Sequence, residues 1–202
     1  MDIVKKTLAL AVTAAFLATP AFAADVKIGV LLGFTGPIES LTPDMASGAE
    51  LAMKEASESG AFMGGSKIIS VRGDSTCVDA GAATATAERL ITADGVSAIM
   101  GADCSGVTTA VLQNVALAKG VVMISPSATS PALSTVEDNG LFFRTSPSDA
   151  RQGQVLAEIL KEKGVKSAAI SYTNNDYGKG LAASIQSNFE DLGGKVTIST
   201  SH

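Results

Sequence analysis

Short, uninterrupted apolar runs alternate along this chain with stretches whose apolar residues recur at helical spacing. That alternation restricts the possible folds more than any other feature. Val26–Leu32 reads as a β-strand, apolar runs follow at 68–71, 96–100 and 121–124, a short extended piece lies at 141–143, and more mixed segments at 165–171 and 195–199 also read as strands. Between them the spacing becomes helical. Asp44 is placed to cap a helix carrying Met45, Ala49, Ala52, Met53 and Ala56 on one face and ending at Gly60. Asp79 opens a second, with Ala83, Ala87, Leu90 and Ile91 inward. A third is expected over 106–119, with Val107, Val111, Leu112 and Val115 inward. A fourth is capped by Ser148 or Asp149 and buries Val155, Leu156, Ile159 and Leu160; a fifth, over 177–192, buries Leu181, Ile185, Phe189 and Leu192. Strands alternating with amphipathic helices build βαβ units, and short, wholly apolar strands suit a sheet covered on both faces. Right-handed crossovers then give a doubly wound parallel sheet, so the expected class is α/β. The pattern restarts near Arg144-Thr145-Ser146-Pro147. Residues 24–146 are therefore expected to form a first α/β lobe and 147–202 the start of a second, too small to be complete.

The first 23 residues stand outside this pattern. Lys5 and Lys6 precede an apolar run over 8–18, then Pro20 and the small-residue site Ala21-Phe22-Ala23. This order is that of a cleaved secretory signal peptide, and the run is shorter than the ~20 residues that span a membrane. Its removal takes away two lysines and one aspartate, which moves the formal charge from −5 to −6. An acidic chain without a Lys/Arg run argues against nucleic acid and anionic lipid as partners. In an exported protein the two cysteines, Cys77 and Cys104, read as a disulfide, with two free thiols as the alternative. A bridge closing that loop would be worth about 3.6 kcal/mol in chain entropy.

In open parallel sheets ligands bind beyond the carboxyl ends of the strands. Three loops leave such ends: GFTGPIESLTP, GADCS and SPSATSP. All are rich in Gly, Ser and Thr and poor in full charge. Ser105 stands where the third helix begins, and a helix N-terminus offers free N–H groups and partial positive charge. The hydroxyls of Ser105 and Thr129 add further donors, so the arrangement points to capture of a small anionic group such as a carboxylate. At each position separately, a helix cap or a closed turn is the competing reading.

Other chemistry finds less support. Gly29, Gly33 and Gly36 do not form G-x-G-x-x-G, and no phosphate-binding G-x-x-x-x-G-K-[ST] occurs. GADCSG is not G-x-S-x-G. A Cys or Ser nucleophile needs a base, and the sole histidine is the terminal His202. Two cysteines without a histidine partner do not complete a zinc site. Asp103, beside Cys104, is expected in a capping or solvated role. No enzyme, metal or cofactor is expected.

Taken together, KIGVLLGFTGP, GAELAMKEA, GADCSGVTTAV, VVMISPSATSPALS, LFFRTSPSDARQG and NDYGKGLA, in that order from residue 26 to about 185, resemble the extracytoplasmic solute-binding proteins of ABC transporters. The resemblance is to the leucine/isoleucine/valine-binding family, with the type I periplasmic-binding-protein fold. It implies a periplasmic, monomeric protein that holds a branched-chain or other small amino acid, or an amide-like solute, between two lobes and delivers it to a membrane permease. It implies ligand-carboxylate donors at Ser105 and Thr129, and main-chain contacts from Ser127 and Ala128. It places an aromatic contact at Tyr177, an acid near the ligand ammonium at Asp149 (a helix N-cap being the alternative), and a disulfide between Cys77 and Cys104. Leu41 falls where relatives often carry an aromatic residue, which shifts the expected side-chain preference. The chain stops at His202, short of the family's length, so the resemblance also implies a chain shortened at its C-terminus. A ligand-sensing domain of a signalling receptor could share every one of these residues and is the alternative function.

Overall fold

The computed structural model describes residues 24–202; the signal-peptide segment expected at 1–23 lies outside the described residues. Five parallel strands form one sheet in the order β2-β1-β3-β4-β5. They are β1 (Val26–Leu32), β2 (Ile68–Asp74), β3 (Ala98–Gly101), β4 (Val122–Ser125) and β5 (Phe142–Arg144). Side chains alternate across it. Leu31, Ile99, Met123 and Phe142 pack against α2 (Ala80–Thr92) and α3, which runs from Ser105–Val111 through a π-helical turn at Leu112–Ala116 to Leu117–Lys119. Val30 and Leu32 pack on the opposite face against α1 (Thr42–Glu58). Helices on both faces make the sheet doubly wound, as the alternation predicts. On the α1 side the cover does not reach the far strands, and Ile124 and Phe143 stand about half exposed.

Beyond β5 come α4 (Asp149–Glu162), β6 (Ser167–Tyr172), α5 (Asp176–Asp191) and β7 (Lys195–Ser201). β6 and β7 pair parallel as a separate two-stranded sheet. Helices α4 and α5 meet closely where Gly153 faces Ser184, and the Ser184 hydroxyl donates to the Ala150 carbonyl at 3.1 Å. A Cβ on Gly153 would collide with Ser184, so only glycine allows this approach.

Some expectations about faces and caps are corrected. Helix α1 starts at Thr42, ahead of Asp44, with Pro43 in its first turn and no side-chain cap. Thr42 is buried and its hydroxyl donates to the Gly33 carbonyl at 3.1 Å, which closes the first loop. Ala46 is the buried alanine of this helix and Ala52 is exposed. On α4 the cap is Ser148, not Asp149, and Gly153 and Ala157 are buried while Leu156 and Ile159 stand exposed. Asp79 does cap α2, accepting from the Ala82 N–H at 2.9 Å.

Candidate functional site: the rim at the strand ends

The rim is the set of loops that leave β1, β3, β4 and β5. Strand order reverses between β1 and β3, where a doubly wound sheet opens a crevice at its carboxyl end. Asp103 anchors its base. The side chain is buried and accepts from the Gly33 N–H at 2.6 Å, the Ser75 hydroxyl at 3.0 Å and the Cys104 N–H at 2.9 Å. One carboxylate thus ties together the ends of three strands, and the capping or solvated role expected for Asp103 is replaced by this buried one. Beside it Cys77 and Cys104 form a disulfide.

The loop after β4 is held just as tightly. Ser125 donates to the Ala102 carbonyl at 2.5 Å, and its hydroxyl accepts from the Ala128 N–H at 2.9 Å. The Ser127 hydroxyl donates to the Asp103 carbonyl at 2.9 Å. The Arg144 guanidinium, from β5, donates to the carbonyls of Ala128 (3.2 Å) and Ser130 (2.9 Å) and to the Ser134 hydroxyl. The main-chain groups expected to serve a ligand at Ala128 are therefore engaged, although a carbonyl keeps a second lone pair.

Ser105 and Thr129 meet here with opposite hydrogen-bond polarity. Ser105 is buried at the start of α3, and its hydroxyl accepts from the Ser130 N–H at 3.1 Å, so its own proton stays available. Around it are the first-turn N–H groups of α3, which have no partner within the helix. Thr129, half-buried, donates its hydroxyl proton to the Asp149 carboxylate at 2.8 Å, which leaves lone pairs free. Asp149 is 1 % exposed, and its own N–H donates to the Thr129 carbonyl at 2.9 Å. Burial pushes the Asp149 carboxyl above its ordinary value, while the Thr129 hydrogen bond and the nearby Arg144 guanidinium act the other way.

Tyr177 and Leu41 are placed differently. Tyr177 lies 42 % exposed in the first turn of α5, which the Asn175 side chain caps by accepting from the Gly178 N–H at 2.8 Å. That end of α5 lies over the rim, with Asp176 facing Gly106, and Gly180 set against Ser130 and Pro131. Leu41 precedes α1, 55 % exposed, and no hydrogen bond among the described residues joins it to Ser105 or Thr129. A shallow pocket of about 300 Å³ adjoins Thr129 and Asp149 and is walled by Pro147, Val155 and Leu156. A second, of about 370 Å³, lies between α1 and β2, away from the rim. Sequence reasoning did not foresee the roles of Ser125, Ser130 and Arg144. The one usable signal was their position at or just beyond strand ends.

A rim of fixed donors and acceptors around a crevice suits non-covalent capture of a small polar molecule. The family model described as "Periplasmic binding protein" matches residues 25–202, and the chain belongs to that family. It is 32% identical over 199 residues to a Leu/Ile/Val-binding protein of Citrobacter freundii, an alignment covering 98% of this chain and 53% of the relative. It is 32% identical over 190 residues to a leucine-, isoleucine-, valine-, threonine- and alanine-binding protein of Pseudomonas aeruginosa, covering 93% and 50%. Among solved structures it resembles a branched-chain amino acid transporter substrate-binding protein of Streptococcus pneumoniae in complex with isoleucine. The identity there is 29% and the TM-score 0.76, over 88% of this chain and 49% of that one. The chain spans about half the length of the curated relatives it matches.

Proposed function

We propose that this protein is a periplasmic solute-binding component of an ABC transporter, capturing a branched-chain or other small α-amino acid and delivering it to a membrane permease. Residues 24–146 form its first lobe, residues 147–202 begin its second, and residues 1–23 direct export. One observation carries the reading: on neighbouring loops at the strand ends, the Ser105 hydroxyl accepts a hydrogen bond and the Thr129 hydroxyl donates one, which leaves a proton on the first and lone pairs on the second. A zwitterion needs both. The ligand carboxylate takes the Ser105 hydroxyl and the first N–H groups of α3, which the helix dipole favours. The ligand ammonium takes the lone pairs of Thr129, with the Asp149 charge behind them. Thr129 is then an acceptor for the ammonium, a different role from the carboxylate donor that the family resemblance implies. Ser127 and Ala128 shape the loop, the second lone pair of the Ala128 carbonyl facing the ammonium. Tyr177 closes from the second lobe, and Leu41 borders the side-chain end.

Titration calorimetry of the purified protein against the common amino acids tests this. Leucine, isoleucine or valine should bind, and Ser105→Ala should weaken that binding by about tenfold or more through loss of a bond to a charged group. If no α-amino acid binds, the reading is wrong.

A further inference from the structure

We infer that the free edge of β2 is a pairing surface for a second copy of this chain, which adds its own β2 antiparallel and carries the sheet across a two-fold axis. The family resemblance implies a monomer, and this edge points the other way. Among the described residues β2 stands at one end of the sheet order and pairs with β1 alone. The Lys67 carbonyl accepts from the Val26 N–H, and the Ser75 N–H donates to the Leu32 carbonyl. The odd-numbered residues between them therefore turn their main chain toward β1, and the even-numbered ones turn theirs outward. The Ser57 hydroxyl takes the Ile68 N–H at 2.8 Å, but no hydrogen bond among the described residues takes the main-chain groups of Ser70 or Arg72. Proteins usually blunt such an edge with a proline, a bulge, a very short strand or a projecting charge. Strand β2 has seven residues, an unbroken register against β1 and no proline. Its one mid-strand charge, Arg72, is turned onto the Glu50 carboxylate of α1 by two bonds of 2.7 Å.

The edge is complementary to itself about Val71. An axis there sets each Ser70 opposite the partner's Arg72, and each opposed pair exchanges two main-chain hydrogen bonds. Side chains of opposed residues share one face, with Cβ atoms about 5 Å apart. Ser70 already donates to Glu50 Oε1 at 3.0 Å, so each Arg72 comes beside the partner's Glu50 as well as its own. Opposite charges thus meet twice across the axis. An axis one residue later would set Arg72 against the partner's Arg72, so charge fixes the register. On the other face Ile69, 40 % exposed, falls opposite the partner's Gly73, which has no side chain to obstruct it. The hollow of about 370 Å³ between α1 and β2, lined in part by Met53 and Ile68, lies along the same edge and offers apolar surface for the pairing to bury. The pairing is lateral and leaves the rim at the strand ends open.

Sedimentation equilibrium of the purified protein tests this, with Glu50→Arg and Arg72→Glu run singly and mixed. Wild type should form dimers at micromolar concentration. Each variant alone sets like charges side by side across the axis, and its dimer dissociation constant should rise about tenfold or more. Mixed, the two variants should pair with each other, because the new carboxylate of one meets the new guanidinium of the other. Circular dichroism melts establish that each variant is folded. Where a charge variant does not fold, Ser70→Pro carries the test: it removes an outward N–H, leaves the β1 ladder intact and should also raise the constant. A wild type that stays monomeric across the concentration range would overturn the inference. So would single variants that dimerise as well as wild type, or a mixture that pairs no better than its components.

Discussion

Asp103 and Asp149 are chemically the same group, both almost shut off from water, on the same rim, yet their surroundings differ. Asp103 accepts from three donors drawn from the ends of β1, β2 and β3, two of them backbone N–H groups that cannot turn away. Asp149 has a single side-chain donor, a hydroxyl able to rotate. One carboxylate is locked into the frame; the other is poised against a group that faces the crevice. The contrast separates what holds the rim together from what can respond to a ligand.

The largest effect should come from the locked one. Asp103→Ala leaves the Gly33 N–H, the Ser75 hydroxyl and the Cys104 N–H without their acceptor. Even with partial hydration, a loss of about 4 kcal/mol in urea unfolding is expected. A loss below about 1 kcal/mol would mean these donors find other partners, and the two aspartates would no longer differ in kind.

The disulfide is the next test, because it serves the same anchor. Cys77 and Cys104 are separated by 27 residues, and Cys104 follows Asp103 directly. Replacing both cysteines by serine should cost about 3.6 kcal/mol, mostly by freeing the unfolded chain. Combined with Asp103→Ala, the two losses should add to less than their sum, since each slackens the same junction. Full additivity would place the disulfide outside the Asp103 network.

How much of this could be read from the sequence follows the same division. The strands of the five-stranded sheet were legible because each contains a short apolar stretch, and α2 and α3 because their buried residues repeat at the helical period. Helix α4 was misjudged in its face. It meets α5 through Gly153, its other buried residue on that stretch is Ala157, and small residues carry little weight in a hydrophobic pattern, so Leu156 and Ile159 were expected inside and stand outside. On the rim, Ser105 and Thr129 were legible from their places beyond strand ends. Their partners were not. Asp103 reaches Gly33 across 70 residues, and Thr129 reaches Asp149 across 20, and no local pattern encodes either pairing. Since polarity is set by those partners, the direction of the Thr129 proton became visible only in three dimensions.

The smallest effect is the pH dependence of Asp149, and its sign is what matters. Burial raises its pKa above the ordinary 3.8, with the Thr129 bond and Arg144 opposing. Just above pH 3.8 the folded protein therefore holds this proton more firmly than the unfolded chain does, and stability should fall as pH rises through the folded value. Two other carboxylates run the opposite way. Burial pushes Asp74 up, but the Thr35 hydroxyl and the N–H groups of Thr76, Thr35 and Phe34 outweigh it and hold its pKa down. Glu50 is held down by hydrogen bonds from Arg72, although this pair is partly exposed and contributes little. Both add stability that is lost as pH falls through their lowered values. Total stability therefore mixes opposite slopes, and the informative quantity is the difference between wild type and Asp149→Asn, measured by urea unfolding across the acidic range. Relative to the variant, wild type should be at its best at the acid end and lose ground as Asp149 ionises. A difference that ran the other way would mean that Thr129 and Arg144 stabilise the Asp149 charge more than burial opposes it, making Asp149 a second locked carboxylate like Asp103.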